Sequence, residues 1–449
     1  MFKNRLSPIQ SVTKHNYNLL RPLVTIELGD AWAANSINTV VFRYHGVITT
    51  ECMHQFTSFF IDESTIHLIK RNIASNHLTE NEIKGDYNVF DAHNSISIGI
   101  DPTKLLHLSY DQHAEKLNYR RSEQPLSIDS WTCEIFMTGN YEEKVTYPAF
   151  INITGSKVEE CLLLLYRNGK SSNGDAHIKK YNEGKREWED QGKPILKGTE
   201  QKPWTCGPYW TNPVVDSSGR IHLFLTWRTH SLGEKKRINN VNIDYAYSVD
   251  RGETWYTSRK LEYQLPITPV NSETVYPISP GSNLINQTSA AVDNSNNPHM
   301  IFYSDDPDGI PQYQHLWFDG REWKHSYISN RNEPFALEGG GALQIPISRP
   351  EVLIDRNDYV YVIFRGDITE RRMAVQRLSP PDYNPPGQFR ILWDEPVDFA
   401  EPVIDRVRWG IDGILTMLIQ KNYQPPHDLK HEVRMEPIYL VDWDITKGW

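Results

Sequence analysis

Histidine, tyrosine and arginine side chains stand at the ends of several short strands predicted for this chain. His93 precedes one apolar strand pair, Tyr147 and Tyr209 precede later ones, and Arg167 and Arg228 end apolar strands. Together they could carry out a β-elimination on a uronic-acid sugar. An arginine would neutralise the carboxylate and so make the C5 proton acidic. A tyrosine or histidine would remove that proton, and another would protonate the leaving oxygen. This chemistry requires no metal or organic cofactor.

The elements that must position these residues form a repeat. A short strand, a turn and a strongly apolar strand recur, as in "NSISIGIDPTKLLHLSYD" and "NPVVDSSGRIHLFLTWR". The turns of six copies are centred on Asp101, Gly155, Asp216, Asp293, Asp355 and Asp405. A degenerate seventh copy lies near the N-terminus. The steps of about 50 to 77 residues each accommodate one four-stranded unit, and such units build β-propellers.

We therefore expect an all-β, seven-bladed β-propeller in which residues 1–449 form a single domain. The segment "PIYLVDWDI" near the C-terminus is expected to pair with N-terminal strands and close the ring. The stretch "SVDRGETW" (Ser248–Trp255) matches the Asp-box turn, S-x-D-x-G-x-x-W. Such a turn is structural, because the aspartate caps backbone N–H groups and the glycine takes a positive φ. It indicates a propeller and does not by itself indicate an activity.

Equivalent positions in successive blades of a propeller lie around one ring. His93, Tyr147 and Tyr209 should therefore converge on one mouth of the channel, with Arg167 and Arg228 near them. The glycine-rich stretch "LEGGGALQ" follows no βαβ pattern and is expected to form a loop at that mouth. Taken one at a time, each of these residue types is common at blade edges, so the prediction depends on the set.

Composition narrows the function classes. The net charge is −10, with 47 basic and 57 acidic residues and no long basic run, which argues against a nucleic-acid partner. No apolar run is long enough for a membrane span. The four cysteines form no CxxC pair, and P-loop, zincin and serine-hydrolase motifs are missing. No signal peptide is visible, so we expect a secreted or periplasmic protein if one has been removed, and a cytoplasmic protein otherwise.

Several blocks resemble one known family. "DAHNSISIGID", "LHLSYDQH", "VTYP", "LLLLYRNG", "PYWTNP" and "YAYSVDRGETW" occur in the order seen in the BNR-repeat propeller family that includes the ulvan lyases. The resemblance implies a lyase that cleaves a uronate-containing glycan beside glucuronate or iduronate. It implies Tyr147 as proton shuttle and Arg167 on the carboxylate, and it matches His93 and His113 to the family's two histidines. We expect His93 to act as the partner base or as a second group that neutralises the carboxylate. The resemblance also implies substrate-binding positions at His113, Tyr209, Arg228 and, beside His93, Asn94. The expected partner is an anionic polysaccharide or oligosaccharide.

The sequence departs from the family pattern before the Asp-box. Asn242 and Ile243 stand where related sequences carry Asn-His, and some family members bind a structural metal ion. The missing histidine puts such a site in doubt, although Cys206 and His230 could contribute to one. The metal ligands are therefore left unassigned.

Two other functions fit a propeller of this kind. A sialidase-like glycoside hydrolase would need an arginine triad, which Arg167, Arg228 and Arg365 could imitate. A hydrolase with paired carboxylates would draw on residues such as Asp111 and Asp305; Asp367 is a third candidate. A non-catalytic carbohydrate-binding propeller would bind glycans without turnover. Reducing ends formed without an unsaturated uronate would favour hydrolysis over elimination.

Overall fold

Short antiparallel sheets make up almost all of the regular structure. The computed structural model describes residues 18–39, 47–155, 157–384, 388–426, 429 and 433–449. The first strand is β1 (Val24–Trp32). Blade 1 then contains β2 (Ile48–Glu51), β3 (His54–Asp62), β4 (Thr65–Asn72) and β5 (Leu78–Lys84). Blade 2 contains β6 (Ser97–Ile100), β7 (Leu106–Ser109) and β9 (Tyr119–Arg121). The intervening strand, β8 (His113–Glu115), joins blade 3.

The remaining blades follow in chain order. Blade 3 adds β10 (Val145–Ile153), β11 (Cys161–Lys170), β12 (Asn173–Asn182), β13 (Glu187–Asp190) and β14 (Leu196–Lys197). Blade 4 contains β15 (Gly207–Trp210), β16 (Val214–Val215), β17 (Ile221–Arg228), β18 (Asn240–Ser248) and β19 (Glu273–Tyr276). Blade 5 contains β20 (Ser289–Val292), β21 (Pro298–Asp305), β22 (Pro311–Phe318) and β23 (Trp323–Tyr327). Blade 6 contains β24 (Glu351–Ile354), β25 (Val360–Arg365), β26 (Met373–Leu378) and β27 (Arg390–Ile391).

Blade 7 closes the ring with strands from both ends of the chain. It contains β28 (Val403–Ile404), β29 (Leu415–Ile419) and β30 (Met435–Trp443), and β1 pairs antiparallel with β30 at its outer edge. Both the seven-bladed all-β fold and its predicted closure are confirmed. Within the described ranges the one α-helix is α1 (Arg406–Asp412), which follows the predicted turn at Asp405. Among the described residues, no helix is long and apolar enough to cross a membrane.

The predicted aspartate turns share one hydrogen-bond pattern. In Asp101, Asp216, Asp293 and Asp355, Oδ1 accepts from a backbone N–H four residues later, at 2.8–3.0 Å. The second oxygen of each faces the side chain six residues later, which is His107, His222, His299 or Tyr361. The turn and the following strand are thus fixed together. At Asp405 the carboxylate instead caps α1 by accepting from the backbone N–H of Arg408.

The apolar strands are apolar on both faces because each blade is packed between two others. In β11, Leu163 and Leu165 pack with residues of blade 4, including Leu223. Leu162 and Leu164, on the other face, pack with a second cluster that includes Trp188. A strand that is buried on both sides has a continuous apolar run instead of an alternating one. In β11 this apolar run is followed towards the end of the strand by Tyr166 and Arg167.

Candidate active site

The strand β8 carries His113 from blade 2 to the inner edge of blade 3. There His113 pairs with Thr146 and Glu115 pairs with Val145 on β10. The backbone N–H of Ala114 also donates to the Thr146 hydroxyl at 2.7 Å. His113 is therefore placed beside the residue that precedes Tyr147. The ring centroids of His113 and Tyr147 are 6.5 Å apart.

Tyr147 occupies an unusual backbone conformation. Its φ is +58°, and it sits where the register of β10 against β11 shifts between Thr146 and Ala149. A β-bulge of this kind re-aims a side chain. A non-glycine residue held at positive φ costs about 1–3 kcal/mol and persists where the surrounding structure fixes it, often at functional sites. The bulge directs the Tyr147 ring towards the histidines and the next blade.

The two predicted histidines form a stacked pair on one carboxylate. The His93 and His113 ring centroids are 4.1 Å apart, with 17° between the ring planes. Asp91 Oδ1 lies 2.5 Å from His93 Nδ1, and Asp91 Oδ2 lies 2.7 Å from His113 Nδ1. Burial by itself raises the pKa of Asp91, but the charge of His93 and the hydrogen bonds from both imidazoles outweigh it, so this pKa is lowered. Burial and the charge of His93 lower the pKa of His113.

Two tyrosines and two arginines form the adjoining cluster. The Tyr147 and Tyr209 ring centroids are 5.8 Å apart. The Arg167 guanidinium carbon lies 4.9 Å from the centroids of both rings. The guanidinium of Arg228 lies 4.6 Å from the Tyr209 ring. Arg228 is held in place by Asn240 Oδ1 at 2.7 Å and Asn286 Oδ1 at 2.5 Å.

The pKa values of the two phenols are shifted in opposite directions. Burial by itself raises the pKa of Tyr209. The charges of Arg167 and Arg228, and hydrogen bonds from Arg167 and Tyr147, outweigh burial and lower this pKa. Burial and the charge of Tyr209 raise the pKa of Tyr147. Tyr209 is therefore the phenol that ionises first, whereas Tyr147 is protonated in the resting site and donates a hydrogen bond to Tyr209.

The two phenols, Arg228 and the stacked histidines face a cavity of about 250 Å³ at the channel mouth. The cationic side chains that line it are Arg228, Lys235, Arg237, Arg349 and Arg365. Among the described lining residues, Glu401 is the one carboxylate, and Arg349 binds both of its oxygens at 3.0 and 3.1 Å. The glycine-rich loop reaches this cavity through Gly339, Gly340 and Gly341, as predicted. The cavity is therefore suited to an anionic ligand.

The structure brings most of the predicted site residues to this cavity. His93, His113, Tyr147, Tyr209 and Arg228 line it. Two other predicted residues, Arg167 and Asn94, are not among its lining residues. The Arg167 side chain is completely buried and contacts the two phenol rings. The Asn94 amide donates instead to Asn88 O and Asp111 Oδ1, at 3.1 and 3.0 Å.

Sequence reasoning missed several groups at the cavity. Asp91 begins the "DAHN" block but was not assigned a role, and Arg349, in "SRP", marks the start of an inner strand in the same way as Tyr147 does. Glu401 stands two residues before β28, as Arg349 stands two residues before β24. Asn286 lies in a connection between blades and carries no repeat signal. His230 lines the cavity from the loop after β17. Position in the repeat can thus identify cavity residues at strand ends but not those in loops.

The alternative site residues are engaged elsewhere. The Arg365 guanidinium donates to the backbone carbonyls of Ala400, Ile345, Pro346 and Phe399. Backbone carbonyls therefore use four of its five N–H donors. The carboxylates considered for hydrolysis, Asp111, Asp305 and Asp367, are not among the described residues that line the cavity. Asp367 is bound by Arg331.

Cys206 and His230, which the sequence suggested as possible metal ligands, do not form a metal-binding group among the described residues. The Cys206 thiol is buried and faces Gly198 O at 3.9 Å. In the described part of the chain, the group of His, Cys, Asp and Glu side chains close enough to hold a metal ion is Asp91, His93 and His113, and it includes neither Cys206 nor His230.

Two solved polysaccharide lyases share this fold over nearly the whole chain. The polysaccharide lyase Uly1 superposes with a TM-score of 0.68 at 15% identity, covering 94% of this chain and 99% of that one. A PL25 ulvan lyase bound to -[GlcA(1-4)Rha3S]- superposes with a TM-score of 0.65 at 12% identity, covering 93% and 96%. At these identities the likeness establishes the fold. No curated protein matches the chain.

The sequence also matches a family profile. The profile describes BNR-repeat-containing family members, and it matches residues 54–331, more than half of the chain. The matched segment runs from β3 of blade 1 to the end of blade 5 and includes the Asp-box and all seven predicted site residues. The chain belongs to this family of BNR-repeat-containing proteins.

Proposed function

We propose that this protein is a polysaccharide lyase that cleaves a uronate-containing glycan by β-elimination. The observation that carries the proposal is the Tyr147–Tyr209 phenol pair. It lies between two arginines and on the same cavity as the stacked histidines. Elimination needs a base, an acid and a cation for the carboxylate within one site, and this cluster offers all three. The two lyases of similar fold support the same activity.

The uronate carboxylate is proposed to bind Arg228. This guanidinium lines the cavity and is fixed by two asparagines, so it is preorganised for an anion. The family resemblance assigns this task to Arg167, but Arg167 is fully buried beneath the phenol rings. We propose that Arg167 acts on the phenols, where its charge favours an ionised Tyr209. Lys235 and Arg237 add positive charge on the cavity wall.

Tyr147 is proposed as the main acid–base group. Tyr147 passes its proton to ionised Tyr209 and then takes the C5 proton of the sugar. The C–H electrons form the C4=C5 double bond, and the C4–O bond breaks with its electron pair on the leaving oxygen. A protonated Tyr147 or His93 then donates a proton to that oxygen. His93 thereby serves as the partner acid–base group, and His113 orients the substrate.

The first substrate to test is a glucuronate–rhamnose glycan. The PL25 neighbour is bound to -[GlcA(1-4)Rha3S]-, and the cationic cavity of this chain suits such a polyanion. Ulvan and other uronate glycans should be compared by the ultraviolet absorbance of the unsaturated uronate product. A rise in absorbance is expected with ulvan.

Replacing the acid–base tyrosine should abolish most of that signal. Tyr147→Phe is expected to lower kcat by about 100-fold or more, the usual contribution of a general acid–base group. Tyr141→Phe is the matched control, because Tyr141 is exposed and stacks on His177 outside the cavity lining. Equal rates for wild type and Tyr147→Phe would refute the role. New reducing ends without the absorbance would indicate hydrolysis, and binding without turnover would indicate a carbohydrate-binding propeller.

A further inference from the structure

One carboxylate behind the cavity touches both histidines. Asp91 Oδ1 accepts from the backbone N–H of His93 at 2.9 Å and faces His93 Nδ1 at 2.5 Å. Its second oxygen faces His113 Nδ1 at 2.7 Å. Both histidines line the cavity, whereas Asp91 is not among the lining residues. The carboxylate therefore holds the two rings from the side opposite the ligand.

The chemistry of an ionised carboxylate dictates the tautomers. A carboxylate can only accept hydrogen bonds, so each Nδ1 that contacts it must carry a proton. The lowered pKa of Asp91 keeps the group ionised at neutral pH. In the neutral form of each imidazole the lone pair is then on Nε2, the nitrogen on the far side of the ring from Asp91.

The ring geometry favours this arrangement over a metal site. A metal ion shared by two imidazoles needs ring planes whose nitrogen lone pairs converge on one point. Here the rings are stacked at 4.1 Å with planes 17° apart, so the Nδ1 lone pairs would run side by side. The Asp91–Nδ1 distances are those of charge-assisted hydrogen bonds.

We propose that Asp91 is a positioning residue that holds His93 and His113 together in the Nδ1–H tautomer and so presents Nε2 of both to the substrate. Two adjacent acceptors can receive hydroxyl groups of the sugar, and His93 can take or return a proton through Nε2. Stacked imidazoles disfavour two positive charges, so the pair acts with one proton at a time. The proposal rests on the lyase function above for its catalytic meaning, but the tautomers themselves can be observed without turnover.

Long-range ¹H–¹⁵N correlation spectra of histidine-labelled full-length protein test the tautomers directly. Signals are assigned with His93→Gln and His113→Gln. Wild type is expected to show a protonated Nδ1 and an acceptor Nε2 for both residues. A wild-type spectrum with either ring in the Nε2–H form would overturn the proposal, whether or not any glycan is cleaved. Zinc chloride added to chelator-treated protein should leave both signals unchanged, and stoichiometric loss of the Nδ1 protons would overturn it in favour of a cation site.

Asp91→Asn tests the catalytic consequence. An amide offers one acceptor and one donor, so one ring must change its tautomer or turn. We expect kcat to fall by about 100-fold or more, with a smaller change in KM and one altered histidine signal. Asp91→Glu retains the carboxylate and should recover the Nδ1–H signals and part of kcat. Asp86→Asn, an exposed carboxylate nearby, is the control. Unchanged tautomers and kcat in folded Asp91→Asn would refute the role, and retained thermal stability shows that the variant is folded.

Discussion

At the scale of single residues, the site depends on two tyrosines whose pKa values are shifted in opposite directions by their surroundings. Tyr147 and Tyr209 occupy equivalent positions in neighbouring blades, and both are buried. Tyr209 contacts Arg167 and Arg228, whereas Tyr147 contacts Arg167 and the histidines. The charges of Arg167 and Arg228 outweigh burial and lower the pKa of Tyr209, whereas burial and the charge of Tyr209 raise that of Tyr147. The repeat supplies two phenols, and their different surroundings shift their pKa values in opposite directions.

The pH dependence of catalysis should therefore respond to Arg228. Ionised Tyr209 accumulates as pH rises, so kcat/KM is expected to increase along the acidic limb of its pH profile. Removing the positive charge in Arg228→Met disfavours the phenolate, raises the pKa of Tyr209 and moves this limb to higher pH.

Arg228→Lys keeps the charge and is the matched control for that shift. The acidic limb of the Arg228→Lys pH profile should stay near the wild-type position, even if the changed geometry of the side chain raises KM. An acidic limb that stays in place in Arg228→Met would show that Tyr209 is not the ionising group. The profile is measured from initial rates of absorbance change on ulvan.

At the scale of elements, two local devices position the site. The bulge in β10 aims Tyr147, and β8 crosses from blade 2 to blade 3 with His113. The aspartate turns fix the strands on which such residues stand. In blade 4, Asp216 caps the turn before β17, and His222 lies between its carboxylate at 3.2 Å and the Tyr245 hydroxyl at 2.6 Å. The strand that ends at Arg228 is thus tied to the turn at its start.

Loss of this turn should destabilise the blade. Asp216→Ala leaves backbone N–H groups and buried His222 without their acceptor, which costs about 1–3 kcal/mol of unfolding free energy. The pKa of Asp216 is lowered in the fold: burial by itself raises it, and the hydrogen bonds from His222 and Ser218 outweigh burial. Its stabilisation is therefore present above the unfolded pKa of about 4 and lost as pH falls towards the folded value.

The difference in stability between wild type and Asp216→Ala should accordingly shrink in acid. Denaturant unfolding at neutral and acidic pH measures it. Asp308→Ala is the control, because Asp308 is an exposed carboxylate in another turn. A pH-independent difference would contradict the assignment of the stabilisation to the ionised carboxylate.

At the scale of the whole molecule, closure of the ring supports the site. Trp32, at the end of β1, is completely buried and meets Phe90 edge-to-face at 5.1 Å. Phe90 immediately precedes Asp91. The strand that completes blade 7 thus packs against the segment that carries Asp91 and His93. The molecule as a whole is acidic, with a net charge of −10, whereas the described Asp, Glu, Lys and Arg side chains that line its cavity are basic with the exception of Glu401. The cavity therefore has the charge that favours an anionic ligand.

Removing the Trp32 side chain from β1 should lower both the stability of the fold and the activity of the site. Trp32→Ala is expected to lower the free energy of unfolding by about 3–5 kcal/mol and to reduce kcat because Phe90 loses its support. Leu23→Ala, an exposed residue just before β1, should change stability by less than about 0.5 kcal/mol. Thermal and denaturant unfolding measure the effect. A change no larger than that of Leu23→Ala would show that β1 does not hold the ring.

The sequence by itself determined the architecture, because each blade repeats a local pattern of turn aspartates and apolar strands. It also predicted four residues that line the cavity, His93, Tyr147, Tyr209 and Arg228, since equivalent strand ends must lie around one ring. His113, the fifth, was predicted from the family resemblance. Contacts between blades and loops were decided only by the tertiary structure. These contacts include the hydrogen bonds between Asp91 and both histidines and the Arg349–Glu401 ion pair. The tertiary structure also buries Arg167 and places Asn94 outside the cavity lining. The physical reason is that a repeat specifies which strand end faces the channel, whereas the hydrogen bonds between side chains depend on bulges, crossings and loop lengths that vary from blade to blade.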